Sequence, residues 1–438
     1  MIATLAKTRR ARGIALLMVL ASLALLSGVV VEFAYNSNVT YNLAMNEKER
    51  TQAYYLAQSG LAFTKLVIKY DKEARRLASQ ASSRLGKNFQ VEPLYVMIPI
   101  SSELLRGMAS MSNPAASPGG EEGEGEEAPP PDEKTQALGA FNLQDSEFLN
   151  FEGDFSSEVI EENTKINLNA FLSLAPTDAA YDRLKNVLYH LLLTDEFKGL
   201  FDDRYRGAKE LVQNIADYVD RDDAQNEIGG QERGREGAGA AAGQIKMKNG
   251  KLLSIEELTM VPGMTEDIFQ KLKKYVTVYG NDDKIYACRA QEPVIKSLIL
   301  AYTESNSNRM EPLKDDNVEL LTKAYDAVLN SCPDTQAMAN ELDRALGATA
   351  PGTGEGTGTP GATPGPTSTL TGSTTARGTT GTGTTSSNTF NGMLRNDNTI
   401  FGVIGIGTVG ETQVKIKAVL DTSNNNANRW QTLYWRVE

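Results

Sequence analysis

The sequence predicts an α+β protein: one long N-terminal helix, a block of amphipathic helices, and a closing antiparallel sheet. Three observations carry this. Residues 14–31 (IALLMVLASLALLSGVVV) run for eighteen positions without a charge, and helical periodicity resumes beyond them. The middle of the chain repeats apolar side chains at spacings of three and four. The last forty residues change to a period of two.

The apolar run makes a helix of about 27 Å, close to the hydrocarbon thickness of a bilayer. A basic leader with Lys7, Arg9, Arg10 and Arg12 precedes it and ends in Gly13. The positive-inside rule puts that leader in the cytoplasm and the body across the membrane. An ordinary secretory leader fits less well, because no small-x-small site follows a short apolar core; Ser27-Gly28 is the nearest approach. A type IV prepilin-like leader, cut between Gly13 and Ile14, fits the arrangement and leaves the helix on the mature chain. Ala53, Leu56, Ala57, Gly60, Leu61, Thr64, Leu66 and Val67 continue one helical face, so a single helix from Ile14 to about Leu77 is expected.

Residues 113–133 carry seven acids and no large apolar side chain, and 348–388 are nearly all Gly, Thr, Pro, Ser and Ala. Neither can bury a core, so both read as disordered; Gly/Ala-rich 234–243 is a third interruption. Residues 155–170 read as a strand, a turn at Glu162-Asn163-Thr164, and a short extended piece with Ile166 and Leu168 on one side. Helices follow at 178–193 and 207–219. Ser254 and Glu257 form a capping-box pattern, Val261-Pro262-Gly263 stops that helix, and Thr265 caps the next. At the end, Val414, Ile416, Ala418 and Leu420 alternate with Lys415 and Lys417, and Leu433, Trp435 and Val437 share one face. With 399–408 these make a three-stranded antiparallel meander turning at Gly410-Glu411 and at 423–426.

The chain is acidic, with 44 basic and 56 acidic residues among 438. Loss of the leader makes it four charges more negative. That balance argues against general phosphate-backbone binding, which is built from Lys and Arg. Two cysteines, Cys288 and Cys332, allow one disulfide in an oxidising compartment, or two buried thiols. With a single histidine, His190, they exclude a Cys/His zinc site. His190 reads as a helix-face residue.

One acidic cluster stands out: Asp217, Asp220, Asp222, Asp223, Glu227 and Glu232 follow a helix end. Oxygen-rich turning loops hold hard cations, and Gly229-Gly230 lets this one turn. The spacing is not that of an EF-hand, and a solvated acidic loop is the alternative. The stretch LLSIEELTMVPGMTEDIFQKL resembles a helix-hairpin-helix motif, but Glu266 and Asp267 occupy the first turn where a phosphate would dock. No nucleophile–base pair, phosphate-cradling loop or catalytic carboxylate pair stands above background, so no enzyme is read.

Four blocks together resemble the type II secretion minor pseudopilin K family (general secretion pathway protein K, GspK). They are RRARG/IALLMVLASLALL with QAYYLAQSGLAFTKL; VIEENTKINLNAF, similar to the family's DExGKINLN; LVQNIADYVDRDD, GGQE and LLSIEELTMVPGM, similar to IxDWxDxD, GAED and SxxELxxVxG; and the terminal YWRVE. The resemblance implies a type IV pilin-like (pseudopilin) α+β fold. A long N-terminal helix packs on an antiparallel sheet, and an α-helical (SAM/helix-hairpin-helix-like) domain is inserted in that sheet. The implied divisions are a leader 1–13, a transmembrane helix 14–35, a stalk and start of the body 36–112, the acidic loop 113–133, and pseudopilin strands 134–170. There follow an inserted helical domain 171–280, a strand and helices returning to the body 281–347, the linker 348–388, and C-terminal strands 389–438.

The resemblance further implies prepilin-peptidase cleavage after Gly13, N-methylation of Ile14, and structural calcium, with Asp217, Asp220, Asp222, Glu227 and Glu232 as candidate ligands. Asp220 and Asp222 match the DxD block, whereas Gly229-Gly230-Gln231 departs from GAED. Met18 stands at mature position five, where pilin-like chains carry Glu, and marks a subunit placed first, at the fibre tip. The implied partners are minor pseudopilins I and J, with H as a further candidate, the prepilin peptidase and the inner-membrane secretion platform; the secretin and the secreted substrates are possible further contacts. The implied location is the bacterial inner membrane, single-pass, leader cytoplasmic and body periplasmic. The rival readings are a type IV pilus minor pilin and a membrane-anchored helix-hairpin-helix DNA-binding or uptake protein.

Overall fold

The computed structural model describes residues 3–85, 92–112, 151–221, 248–280, 282–307, 312–314, 317–347 and 390–438. The tracts 113–133 and 348–388, and 234–243, lie outside the described residues. The chain divides into two compact units. One comprises Met1–Val159, Val403–Ala418 and Tyr434–Glu438; the other comprises Ile160–Gly402 and Val419–Leu433.

The first unit is built on α1, Ala3–Leu85, an unbroken helix of 83 residues. It exceeds the expected 14–77 at both ends. Leu56, Ala57, Leu61, Val67 and Ile68 bury one side of its second half, where the periodicity placed a core face. Short α2 (Leu94–Met97) and α3 (Ser102–Ser112) follow it. Buried Asp71 accepts the Leu94 N–H at 2.8 Å and ties α2 back to α1.

The sheet runs in the order β1 (Ile100–Ser101), β2 (Asp154–Glu161), β5 (Ile400–Val409), β6 (Thr412–Asp421), β7 (Gln431–Val437). Ile100 pairs antiparallel with Ser157. The β5–β6 turn falls at Gly410, whose φ of 56° is the left-handed region that glycine enters without strain. Helix and sheet meet through missing side chains. A Cβ on Gly405 would lie 2.6 Å from the Ala57 carbonyl oxygen, and one on Gly407 would press closer still on Ala53. Glycine is needed on this face because the two backbones touch.

The second unit is helical: α4 (Ala179–Leu192), α5 (Arg204–Val219), α6 (Glu266–Leu272), α7 (Glu292–Ser305), α8 (Val318–Asn330) and α9 (Thr335–Ala345). One continuous apolar core joins Leu184, Leu188, Leu211, Ile215, Ile295, Leu298, Val328 and Leu342. Residues 281–347, which the sequence groups with the body, carry α7, α8 and α9. Their three helices complete the core of the helical unit, because α7 buries nearly its whole circumference there. The extended piece at Ile166–Asn167 is likewise not part of the large sheet. It forms β3, which pairs in parallel with β4, Val276–Thr277. A disulfide joins Cys288 to Cys332 with a Cα–Cα distance of 5.7 Å, closing a separation of 44 residues. Loop closure of that length is worth about 4 kcal/mol in the chain-entropy model.

Buried asparagines hold this unit's irregular backbone. Asn163 Oδ1 accepts the N–H groups of Thr399 and Ile400, both at 2.8 Å. Asn169 accepts from Leu252 N–H and donates to the carbonyls of Leu252 and Val278. Glu162, also buried, takes the Thr277 hydroxyl at 2.6 Å and Lys165 at 3.1 Å.

Gly407→Val should lower stability by on the order of 3 kcal/mol, despite valine's preference for strands, because the helix backbone must be pushed away. Ile406→Val, on the other side of the same strand, should cost only about 1 kcal/mol. Urea unfolding of the detergent-solubilised chain reads both, and equal midpoints would refute the close-contact argument.

Candidate functional site

Two features carry the sequence-predicted residues. The first is the exposed half of α1. Gly13 and Ile14 are consecutive residues within one helix. Ile14 is 57% and Met18 68% exposed, and every residue from 14 to 44 is exposed. The window within residues 14–78 is long and apolar enough to cross a membrane. Its hydroxyls are satisfied internally, Ser22 by the Val19 carbonyl at 2.9 Å and Ser27 by Leu23 at 2.8 Å. This removes most of the cost of a hydroxyl in hydrocarbon. Met18 brings no charge into that run.

The second is the base of the acidic segment. Asp203 caps α5 by accepting from the Tyr205 and Arg206 N–H groups, and the helix ends at Val219 with Asp220 as its C-cap. Asp217 and Asp220 are 3% and 1% exposed. Tyr181 donates its hydroxyl to Asp220 Oδ2 at 2.6 Å from α4. Beyond the segment the chain returns at Asn249, whose N–H bonds the Tyr218 carbonyl at 3.1 Å. The two ends of the segment are thus pinned beside each other. Asp222, Glu227 and Glu232, like Asp223, lie outside the described residues. Among the described residues no group of three or more His, Cys, Asp and Glu side chains converges.

Two buried carboxylates at a helix C-terminus sit at the negative end of its dipole, where cations are favoured. Both offer hard oxygen donors, the type calcium takes. Tyr181 and Asn169 were not singled out from the sequence. Asn169 lies inside the KINLNAF block, but a buried asparagine that ties two distant strands of backbone looks in sequence like any polar residue.

The hairpin is built as its sequence signals. Ser254 and Glu257 form the capping box, with the Leu253 and Ser254 N–H groups donating to Glu257 at 2.7 and 3.2 Å. Burial pushes the Glu257 carboxyl up, but the Lys248 ammonium and these two N–H groups outweigh it and hold it below 4.5. Gly263 has a φ of 83°, and Asn214 donates to the Pro262 carbonyl at 2.9 Å, docking the turn on α5. Thr265 caps α6 through the Ile268 N–H at 3.3 Å. Glu266 and Asp267 stand in that first turn, so the motif presents acids where a phosphate would bind. His190 meets Glu304 at 3.0 Å between α4 and α7, a packing position. The disulfide makes Cys288 and Cys332 structural.

Residues 164–281 match the family described as type II secretion system (T2SS), protein K. A search of curated proteins finds no match. Among solved structures the chain is similar to one in the crystal structure of the GspK-GspI-GspJ complex from the enterotoxigenic Escherichia coli type 2 secretion system. The identity is 14%, the TM-score 0.37, and the alignment covers 66% of this chain and 80% of that one.

Glu257 has a depressed pKa, so its contribution to stability is complete above 4.5 and is lost as pH falls through the lower folded value. Glu257→Gln should therefore cost about 1 kcal/mol at neutral pH. The gap between variant and parent should close below pH 4.5. Melting curves across pH test this, and a gap that widens in acid would overturn it.

Proposed function

We propose that this chain, whose residues 164–281 match the type II secretion protein K family, is a non-enzymatic minor pseudopilin at the tip of the pseudopilus. In this reading it nucleates fibre assembly and assists protein export through the outer membrane. The observation that carries it is the joining of a protein K domain to one continuous N-terminal helix that is bare over residues 14–44.

The N-terminal helix is central to this role. Its basic leader stays in the cytoplasm, the apolar run spans the inner membrane, and the body lies in the periplasm. An oxidising periplasm agrees with the disulfide between Cys288 and Cys332. Prepilin peptidase cuts after Gly13 and methylates Ile14. The freed helix can then leave the bilayer sideways into a bundle of like helices, which bury the apolar surface exposed here. A carboxylate within that bundle persists only when paired. A following subunit with Glu at mature position five pairs it with the Ile14 amine of this chain. Met18 asks for no such partner in return, so this chain needs no subunit above it. The partners are minor pseudopilins I and J, with H, the secretion platform, the secretin and secreted substrates further along the pathway.

Calcium is proposed as a structural ion of the helical unit. Asp217 and Asp220 supply oxygens from the end of α5, and Asp222, Glu227 and Glu232 are the further candidates. Its role is to neutralise buried like charge and so fix the base of the acidic segment.

Two experiments test this. Coexpressed with a prepilin peptidase, the parent chain should lose its leader and begin at N-methylated Ile14 by mass spectrometry. Gly13→Ala should retain the leader; processing is refuted if both begin at Met1. Second, the full chain in detergent should co-purify with candidate I and J chains. EGTA should lower its melting temperature, with calcium restoring it, and Asp220→Asn should be insensitive to both. Failure to associate with either chain in the presence of calcium would remove the tip assignment, and an EGTA-insensitive parent would remove the ion.

A further inference from the structure

Among the described residues the sheet ends at β7, and no further strand pairs with its outer edge. The register of that edge follows from one pair of bonds. Lys415 N–H donates to the Glu438 carbonyl at 2.9 Å and Glu438 N–H to the Lys415 carbonyl at 2.8 Å. Lys415 and Glu438 are therefore a hydrogen-bonded antiparallel pair, which sets Val437 opposite Ile416, Arg436 opposite Lys417, and Trp435 opposite Ala418.

Three consequences follow. Ile416 and Ala418 are fully buried, so Val437 and Trp435 lie on the sheet's core face; yet they are 45% and 42% exposed. Next, backbone groups alternate in direction along a strand. Glu438 turns its N–H and C=O toward β6, so Val437 and Trp435 turn theirs outward to the open edge. Last, the opposite face of this corner carries Lys415, Lys417 and Arg436 with Glu438 as its acid, and Arg436 stands directly across from Lys417. Like charges opposed across a ladder are destabilising. Arg436 is paired to Glu438 at 3.0 Å, which leaves the corner net positive.

We propose that the β7 edge is a docking site for an extended strand of another protein, one with apolar side chains on one face and acidic side chains on the other. Such a strand would hydrogen-bond to the outward groups of Trp435 and Val437, continue the core face over them, and set carboxylates beside Lys417 and Arg436. This is strand addition, in which main-chain bonds supply attachment and alternate side chains supply choice. The charge pattern also selects against self-pairing. A second copy of β7 would bring further arginine to a corner that already holds three cations. An apolar edge without such a guard would be an aggregation site.

The test uses the full chain in detergent with Trp430→Phe, so that Trp435 is the one reporting indole. The probes are short capped peptides alternating valine with glutamate and valine with lysine. The glutamate peptide should bind, shift Trp435 emission to the blue, and bind about tenfold more tightly than the lysine peptide. Val437→Pro removes an outward N–H and leaves the β6 ladder intact, since proline is tolerated on that side of an edge strand; it should abolish binding with an unchanged circular dichroism spectrum. Lys417→Glu with Arg436→Glu should reverse the preference and remains informative if the proline variant does not fold. Equal binding of both peptides, no binding of either, undiminished binding to folded Val437→Pro, or no reversal in the charge variant would each overturn the proposal.

Discussion

The anchor and the body are one piece because two backbones touch. Where Ala53 and Ala57 of α1 cross Gly407 and Gly405 of β5, no side chain separates helix from strand. The small-residue face of the helix and the bare face of the strand are complementary, and neither would serve with a larger partner. Further along, Gly60 lies against Ser157 and Phe155 of β2 in the same manner. An 83-residue helix spans roughly 125 Å. Residues 14–44 of this helix are exposed among the described residues.

The helical unit depends on a different device. Its irregular crossings are held by amide side chains from one short block of sequence. Asn163 receives residues 399 and 400, Asn167 donates to the Asp282 carbonyl at 2.9 Å, and Asn169 links residues 252 and 278. Each buried amide is costly unless its bonds are made, and each here is made to backbone from a distant part of the chain. The block ENTKINLN therefore acts as a set of clamps. That gives a physical reason why this block is recognisable in sequence when the surrounding helices are only patterned.

Local signals were legible. The capping box at Ser254, the Thr265 cap, the stripe Leu184–Val187–Leu188–Leu191 and the Gly410 turn all depend on neighbours within a few residues, and all are formed. What was not legible depends on distance. Nothing in 292–345 says which apolar body its helices complete, since an amphipathic stripe fits any core. The parallel pairing of Ile166 with Val276 joins positions 110 apart and is invisible to periodicity. The glycines of β5 read as weak points in a strand until the helix is seen against them. The alternation of Leu433, Trp435 and Val437 correctly named a shared face. It could not say that the face lies at the end of the strand order, where burial stops at β6. At the acidic segment, the sequence marked the carboxylates, but only the fold sorts Asp217 and Asp220 into the interior.

That sorting constrains what the helical unit can tolerate. A carboxylate on a flexible surface loop is solvated and needs nothing. Asp217 and Asp220 are held inside, at the carbonyl end of α5. The Tyr181 hydroxyl satisfies one oxygen of Asp220 by hydrogen bonding but contributes no net positive charge. The ends of the segment are held independently of those side chains, by the Asn249 N–H donating to the Tyr218 carbonyl. The calcium proposed above would stabilise that buried charge.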